Sequence, residues 1–367
     1  MPEKSPTLAS RYVPPLTGIR ALAALLVLGL HTDQNVPSGV LTVLPFLARG
    51  YLGVDFFFVL SGFIITHVYC ASLAQPSRNA VQVFLWHRFI RLYPVHVTVL
   101  AALVVLIAIV RANHIALNNP QEWRFADLPW QLTLLHAWGV TPKPGWNAPS
   151  WSISAEWFAY LLFPLLAPAL ILVRDRATAL LVAAAALTGT AWAFALADWS
   201  LNIWVGAPAL VRVSGEFLCG AALCRAVALG RKPASLRGDL LGAAAFLLFL
   251  AGASLAMRDY GLVALLAVTI FGAATANGFL AGILGSRPFV WLGEISYSIY
   301  MVHFPVLLVL RRFWQYAGIA QWNASGRAAA FLATVMLVIA LAAMLFYAVE
   351  RPARMRLRDC VGKLAPA

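Results

Sequence analysis

Arg20 and His31 lie eleven positions apart in an otherwise apolar run. At 3.6 residues per turn that spacing returns to nearly the same face of a helix, with a rise of about 16 Å. Imidazole has an ordinary proton affinity close to neutrality, so His31 suits general acid–base work. Guanidinium is a permanent cation whose fork of donors grips anionic oxygens, so Arg20 suits an anionic ligand. Each taken alone has a plainer explanation, a snorkelling arginine and a histidine satisfied at the interface. Further ionisable residues fall at the same two depths. Asp33, Asp55 and Glu156 are expected near His31, and Arg88, Arg91, Glu294, Tyr297 and Glu350 near Arg20. A charge in mid-bilayer costs roughly 2.5–3.5 kcal/mol on insertion scales, so these groups require partners, water or a function.

The elements that must carry them are membrane helices. The chain has 367 residues, 62% hydrophobic and 11% charged, with a mean hydropathy of +0.80, a composition that no water-soluble globule can bury. Ten runs reach the length of about 20 apolar residues that a hydrocarbon core demands: 16–35, 50–70, 92–111, 151–173, 178–197, 203–224, 238–256, 260–284, 289–310 and 328–349. The expected architecture is therefore all-α and polytopic, with about ten transmembrane helices. It divides into an N-terminal arm (1–15), a membrane domain (16–350) with one long outer loop (112–150), and a basic tail (351–367). The net charge of +13 is spread over short connections, which reads as topology and not as nucleic-acid binding. The arm, the connections on its side and the tail hold 17 of the Lys and Arg residues, against 8 on the opposite side. Both termini are thus expected in the cytoplasm of a plasma (inner) membrane protein. Leu128 to Trp138 is too short to cross and reads as an interfacial or re-entrant piece of the outer loop. Trp123, Trp130, Trp138, Trp146 and Trp151 are expected at headgroup depth, or else as platforms on which a sugar stacks.

Other polar residues have modest readings. Arg212 and Glu216, four apart, can neutralise one another. His67 and His96 read as structural polar spots, and nothing marks His114 or His136. Gly53, Gly62 and Gly220 fit close helix packing. Ser61, Ser152 and Ser154 lack a nucleophile elbow and read as helix hydrogen bonders. Cys70, Cys219, Cys224 and Cys360 show neither disulfide nor metal-ligand spacing and read as small packing residues. The first apolar run ends in His31-Thr32-Asp33, where a signal peptidase would need small residues, so it is expected to be a retained span.

Seven segments in order carry a family resemblance. They are LTGIRALAALLVLGLH from Leu16, GVDFFFVLSGFIIT from Gly53, RFIRLYP from Arg88, WSISAEW from Trp151, RVSGEFLCG from Arg212, LGEISYSIYMVH from Leu292 and YAVERP from Tyr347. Together they resemble acyltransferase family 3, whose helix 1 signature, Arg-x10-His, is matched by Arg20 and His31. The resemblance implies transfer of an acyl group, acetyl foremost, from cytoplasmic acyl-CoA to a hydroxyl; no metal is expected, as no metal-ligand spacing is seen. It implies a catalytic role for His31 and acyl-CoA contacts for Arg20, Arg88 and Arg91. Only two arginines stand at the start of helix 3, beside Trp86 and His87, where many members carry a denser basic cluster.

On that basis His31 is expected to take the acceptor's proton, with Asp55, Glu156 or Asp33 orienting its ring. An acyl-His31 intermediate is the alternative. Tyr297 is assigned to the donor, and Asp33, Trp151 and His303 to the acceptor. The acceptor is expected to be a sugar of a surface polysaccharide or lipid-linked glycan. The rivals are a macrolide or other small metabolite as acceptor, and a transporter whose charges line a permeation path.

Overall fold

The computed structural model describes residues 13–117, 119–230 and 235–362. Most of the arm (1–12) and the tail from Lys363 onward lie outside the described residues, as does the side chain of Cys360. Ten principal helices follow in order: α1 Pro14–Asn35, α2 Gly53–Tyr69, α3 Arg78–Ala112, α4 Trp151–Leu172, α5 Arg176–Leu196, α6 Ala207–Ala228, α7 Leu236–Ser254, α8 Asp259–Ala274, α9 Arg287–Tyr316 and α10 Ala324–Leu345. A final helix, α11, spans Arg351–Gly362. There are no strands among the described residues.

Helix boundaries follow local chemistry. Pro14 opens α1, where a missing N–H costs nothing. Ser77, Asp175 and Asn323 cap α3, α5 and α10 by accepting the backbone N–H of Ala80, Thr178 and Gly326 at 3.1, 2.8 and 2.8 Å. Nine helical segments among the described residues are long and apolar enough to cross a membrane, and the tenth, α8, is shorter. Its 16 residues span about 24 Å. The expected run 260–284 is broken, with a separate short helix at Phe279–Leu284. The reason is Asp239 on α7, buried, whose carboxylate accepts the backbone N–H groups of Asn277, Gly278, Leu280 and Ala281 at 2.9–3.2 Å. One side chain thus satisfies an interruption that apolar surroundings would otherwise penalise.

Small residues set the closest approaches. α2 crosses α6 where Gly62 faces the Phe217 carbonyl and Gly220 faces the Val59 carbonyl, each too close for a Cβ. Gly53 meets the Ala23 carbonyl in the same way, and Gly293 of α9 meets Thr17 of α1. The α1–α9, α2–α6, α5–α6 and α7–α8 pairs are the main seams. Large apolar side chains such as Leu165, Leu181 and Trp192 point outward at 74%, 68% and 67% exposure, as a lipid-facing surface requires.

The 112–150 loop folds as a cap. The α-helical turn Leu128–Leu132 within it is far too short to cross. Ser154 of α4 pins it, accepting the Ala137 N–H at 3.0 Å and donating to the Leu134 carbonyl at 2.7 Å. Trp123, Trp146 and Trp151 are buried in the protein core, whereas Trp130 is exposed. At the other end, α10 finishes in a π-turn, Phe346–Glu350, that places buried Glu350 inside the bundle before α11 begins.

Candidate active site

A cavity of about 760 Å³, counting its open mouth, lies among α1, α2, α3, α4 and α9. Arg20, Arg88 and Arg91 line it together with Glu156, Tyr160 and Tyr297. Each cation is held differently. Arg88 donates to the Tyr69 hydroxyl at 3.0 Å and lies over the rings of Tyr69 and Tyr160 at 5.0 and 5.9 Å. Arg91 pairs with Glu350 and lies 5.2 Å from the Tyr297 ring centre. Arg20 makes no direct hydrogen bond or ion pair among the described residues and faces the cavity. Its donors are thus left for an anionic ligand, as are the Arg88 Nε and one Arg91 terminal nitrogen, which are buried without a well-formed hydrogen bond. Tyr297 donates its hydroxyl to the Leu92 carbonyl at 2.6 Å, which fixes its ring against Arg91.

Glu156 is brought to this cluster and not to His31. Its Oε1 accepts hydroxyl hydrogens from Ser61 at 2.5 Å and from Tyr160 at 2.6 Å. The far wall is made by Ser152 and Tyr300. Ser152 donates to the Tyr300 hydroxyl at 2.8 Å, and that hydroxyl donates to the Pro149 carbonyl at 2.8 Å. Behind Tyr300 stands His303, whose ring is 5.6 Å from the tyrosine, and His31 stacks on His303 at 5.1 Å with 23° between the planes. His31 therefore sits one imidazole and one phenol beyond the cavity, and Tyr300 separates the two poles.

His303 Nδ1 contacts the Tyr300 carbonyl at 2.6 Å. A carbonyl only accepts, so Nδ1 carries the hydrogen and Nε2 is left as a lone-pair acceptor. That Nε2 and His31 Nδ1 are both buried without a well-formed hydrogen bond.

None of the three carboxylates expected to orient His31 is hydrogen-bonded to it. Asp33 is taken up by its own loop, accepting from the Ser38 hydroxyl and the Val40 N–H. Asp55 receives two bonds from Arg212, at 2.8 and 2.6 Å, and both residues are at most 2% exposed in their side chains. Arg212 reaches Glu216 only at 3.8 Å, so Asp55, not Glu216, is its principal partner. Trp151 is buried edge-on to Phe58 and lies 5.3 Å under the Arg212 guanidinium, so it offers no open platform for a sugar. His96 and His136, unremarkable in sequence, stack in parallel at 6.0 Å and tie the cap to α3 and α4 through the Gln131 carbonyl and Ser150.

Sequence reasoning missed Tyr300, Tyr160 and Tyr69. The first two had a signal in their spacing, since Tyr300 is three residues before His303 and Tyr160 four after Glu156, each on a shared helix face. Tyr69 had none, because only the α2–α3 packing brings it to Arg88.

Fold and site together define a multi-pass membrane protein with a cation-lined cavity at one end of α1 and paired imidazoles at the other. The family model described as an acyltransferase domain matches residues 15–347, so the chain belongs to acyltransferase family 3 and is an O-acyltransferase. It is 29% identical to acyltransferase MdmB of Streptomyces mycarofaciens, over 93% of this chain and 91% of that protein. It is 26% identical to the putative peptidoglycan O-acetyltransferase YrhL of Bacillus subtilis (strain 168), over 94% of this chain and 55% of the relative. It is also 26% identical to peptidoglycan O-acetyltransferase OatA of Listeria monocytogenes, over 81% of this chain and 50% of the relative. The chain thus corresponds to nearly all of the first and to about half of the other two. No solved structure matches it.

Proposed function

We propose that the protein moves an acetyl group from cytoplasmic acetyl-CoA to a hydroxyl of a surface polysaccharide or lipid-linked glycan. The observation that carries this reading is the arginine-lined cavity, which ends one phenol ring from the His303–His31 stack. The excess of Lys and Arg on the arm's side supports a cytoplasmic mouth at the Arg20 end. Arg20, Arg88 and Arg91, with Arg354 of α11 near Glu350 at 3.6 Å, form a basic mouth for the phosphates of coenzyme A. Two O-acetyltransferase relatives with carbohydrate polymers in their names support the acceptor class.

In this reading Tyr300 shifts to let the thioester reach the histidines. His31 takes the proton of the acceptor hydroxyl as its oxygen attacks the thioester carbon. The tetrahedral adduct then collapses, the C–S bond breaks, and the proton passes to the leaving thiolate. His303, not a carboxylate, is the group that holds the plane of the His31 ring. A positioned base is worth about 10²–10⁴-fold. His31→Ala, purified and reconstituted, is therefore expected to lose at least about 10²-fold in labelled acetyl transfer while inserting normally. Wild-type turnover by that variant would overturn the assignment.

A further inference from the structure

A second cavity, of about 820 Å³ with its open mouth, lies between the 3₁₀ segment Pro45–Leu52, the end of α5, the 198–202 loop and the start of α8. It lies at the His31 end of the bundle. Gly50, next to lining residue Arg49, packs on the Leu26 carbonyl and the Leu30 side chain, the turn of α1 that leads into His31. Nothing in the donor cavity or the histidine stack uses it.

Its lining is built for a neutral, hydroxyl-rich ligand. Arg49 donates to the Tyr51 hydroxyl at 2.6 Å and to Asp259 at 2.9 Å, and the Tyr51 hydroxyl donates to the same Asp259 oxygen at 2.8 Å. The guanidinium is thereby neutralised, and the site presents fixed donors and acceptors without net attraction for an anion. Asp198 and Asn202 add an acceptor and an amide from the facing loop. Trp199 supplies an aromatic surface, and with Tyr260 it is braced edge-on against Phe194, each at 5.5 Å. Aromatic faces beside fixed carboxylates and amides match a pyranose ring, which is apolar above and below its plane and hydroxylated around its rim.

The loop is anchored from below. Arg212 donates to the Leu201 carbonyl at 2.9 Å while holding Asp55 with its other two nitrogens. Asp198 itself takes a left-handed backbone conformation, φ 50°, that turns the chain out of α5. A buried ion pair is a weak stabiliser, but it specifies geometry; here the geometry specified is the wall of this cavity.

We infer that this cavity binds a saccharide unit of the acceptor and that the Asp55–Arg212 pair is its positioning scaffold. The inference rests on the reading of the chain as a glycan O-acetyltransferase, and the test separates the two. Detergent-purified protein is applied to a glycan array covering N-acetylhexosamine, hexose and uronic-acid oligomers. Wild type and His31→Ala are expected to bind the same saccharides. Trp199→Ala combined with Asn202→Ala is expected to lose at least tenfold in affinity, and Trp199→Phe, which keeps a ring face, to stay within threefold, excluding unfolding as the cause. No bound saccharide for the wild type, or undiminished binding by the double variant, would overturn the cavity assignment. In that event normal acetyl transfer would leave the enzymatic reading intact. Saccharide binding without acetyl transfer would instead sink the enzymatic reading and keep the cavity.

Discussion

Replacing Asp55 separates an orienting carboxylate from a structural one. Asp55→Asn keeps the size of the side chain and removes its charge. In the folded protein the Asp55 carboxylate takes two of the three hydrogen bonds of a guanidinium that is itself 1% exposed; the third goes to the Leu201 carbonyl. After substitution the nearest anion to Arg212 is Glu216 at 3.8 Å. Breaking a buried pair costs about 3–5 kcal/mol when the surviving charge is uncompensated, and Glu216 offsets part of this, so about 3 kcal/mol is expected. At about 2 °C per kcal/mol for a large chain, Tm falls by about 6 °C. The assay is a detergent-phase thermal unfolding scan beside acetyl-transfer kinetics on the folded fraction. A residue that orients a catalytic histidine behaves differently, since its amide variant loses about 10⁴-fold in kcat with the geometry intact. The structure predicts the reverse, a lowered Tm with kcat reduced less than about tenfold, well short of that loss. An unchanged Tm with a collapse in kcat would refute the placement of Asp55 and restore it to the His31 site.

Three other outcomes follow from the same geometry. Arg88→Ala with Arg91→Ala is expected to raise the KM for acetyl-CoA more than it lowers kcat, and an unchanged KM in steady-state assays would move the donor elsewhere. Gly62→Val should prevent α2 from closing on the Phe217 carbonyl, a backbone atom that cannot step aside, and reduce the yield of folded protein in size-exclusion profiles. Single cysteines in a cysteine-free background test orientation: Arg358→Cys should react with an impermeant thiol reagent only after permeabilisation, and Asn323→Cys in intact cells. The opposite labelling would invert the topology.

The all-α membrane architecture was legible because it rests on local physics. Twenty apolar residues in water are untenable whatever their neighbours, so hydropathy alone marks the runs, and Arg20 and His31 share a face by helical periodicity alone. The glycine contacts at positions 53, 62 and 220 were readable for the same reason, since a residue without a side chain in an apolar helix has few other uses. The sequence-based grouping was partly legible, since Tyr297 and Glu350 do meet Arg91. Partnership was not. Asp55 and His31 share a predicted depth, yet depth leaves the rotation of each helix about its axis free, and packing turned Asp55 toward Arg212, 157 positions away. Glu156, expected beside His31, is held in the arginine cavity by Ser61 and Tyr160, and His303 was set against His31 by the α1–α9 seam. The break after α8 depended on Asp239, which sequence distance hides from the segment it satisfies. Local composition decided which segments enter the bilayer, and only the packing of their faces decided which charges meet, because a buried charge must find its partner across helices that hydropathy cannot orient.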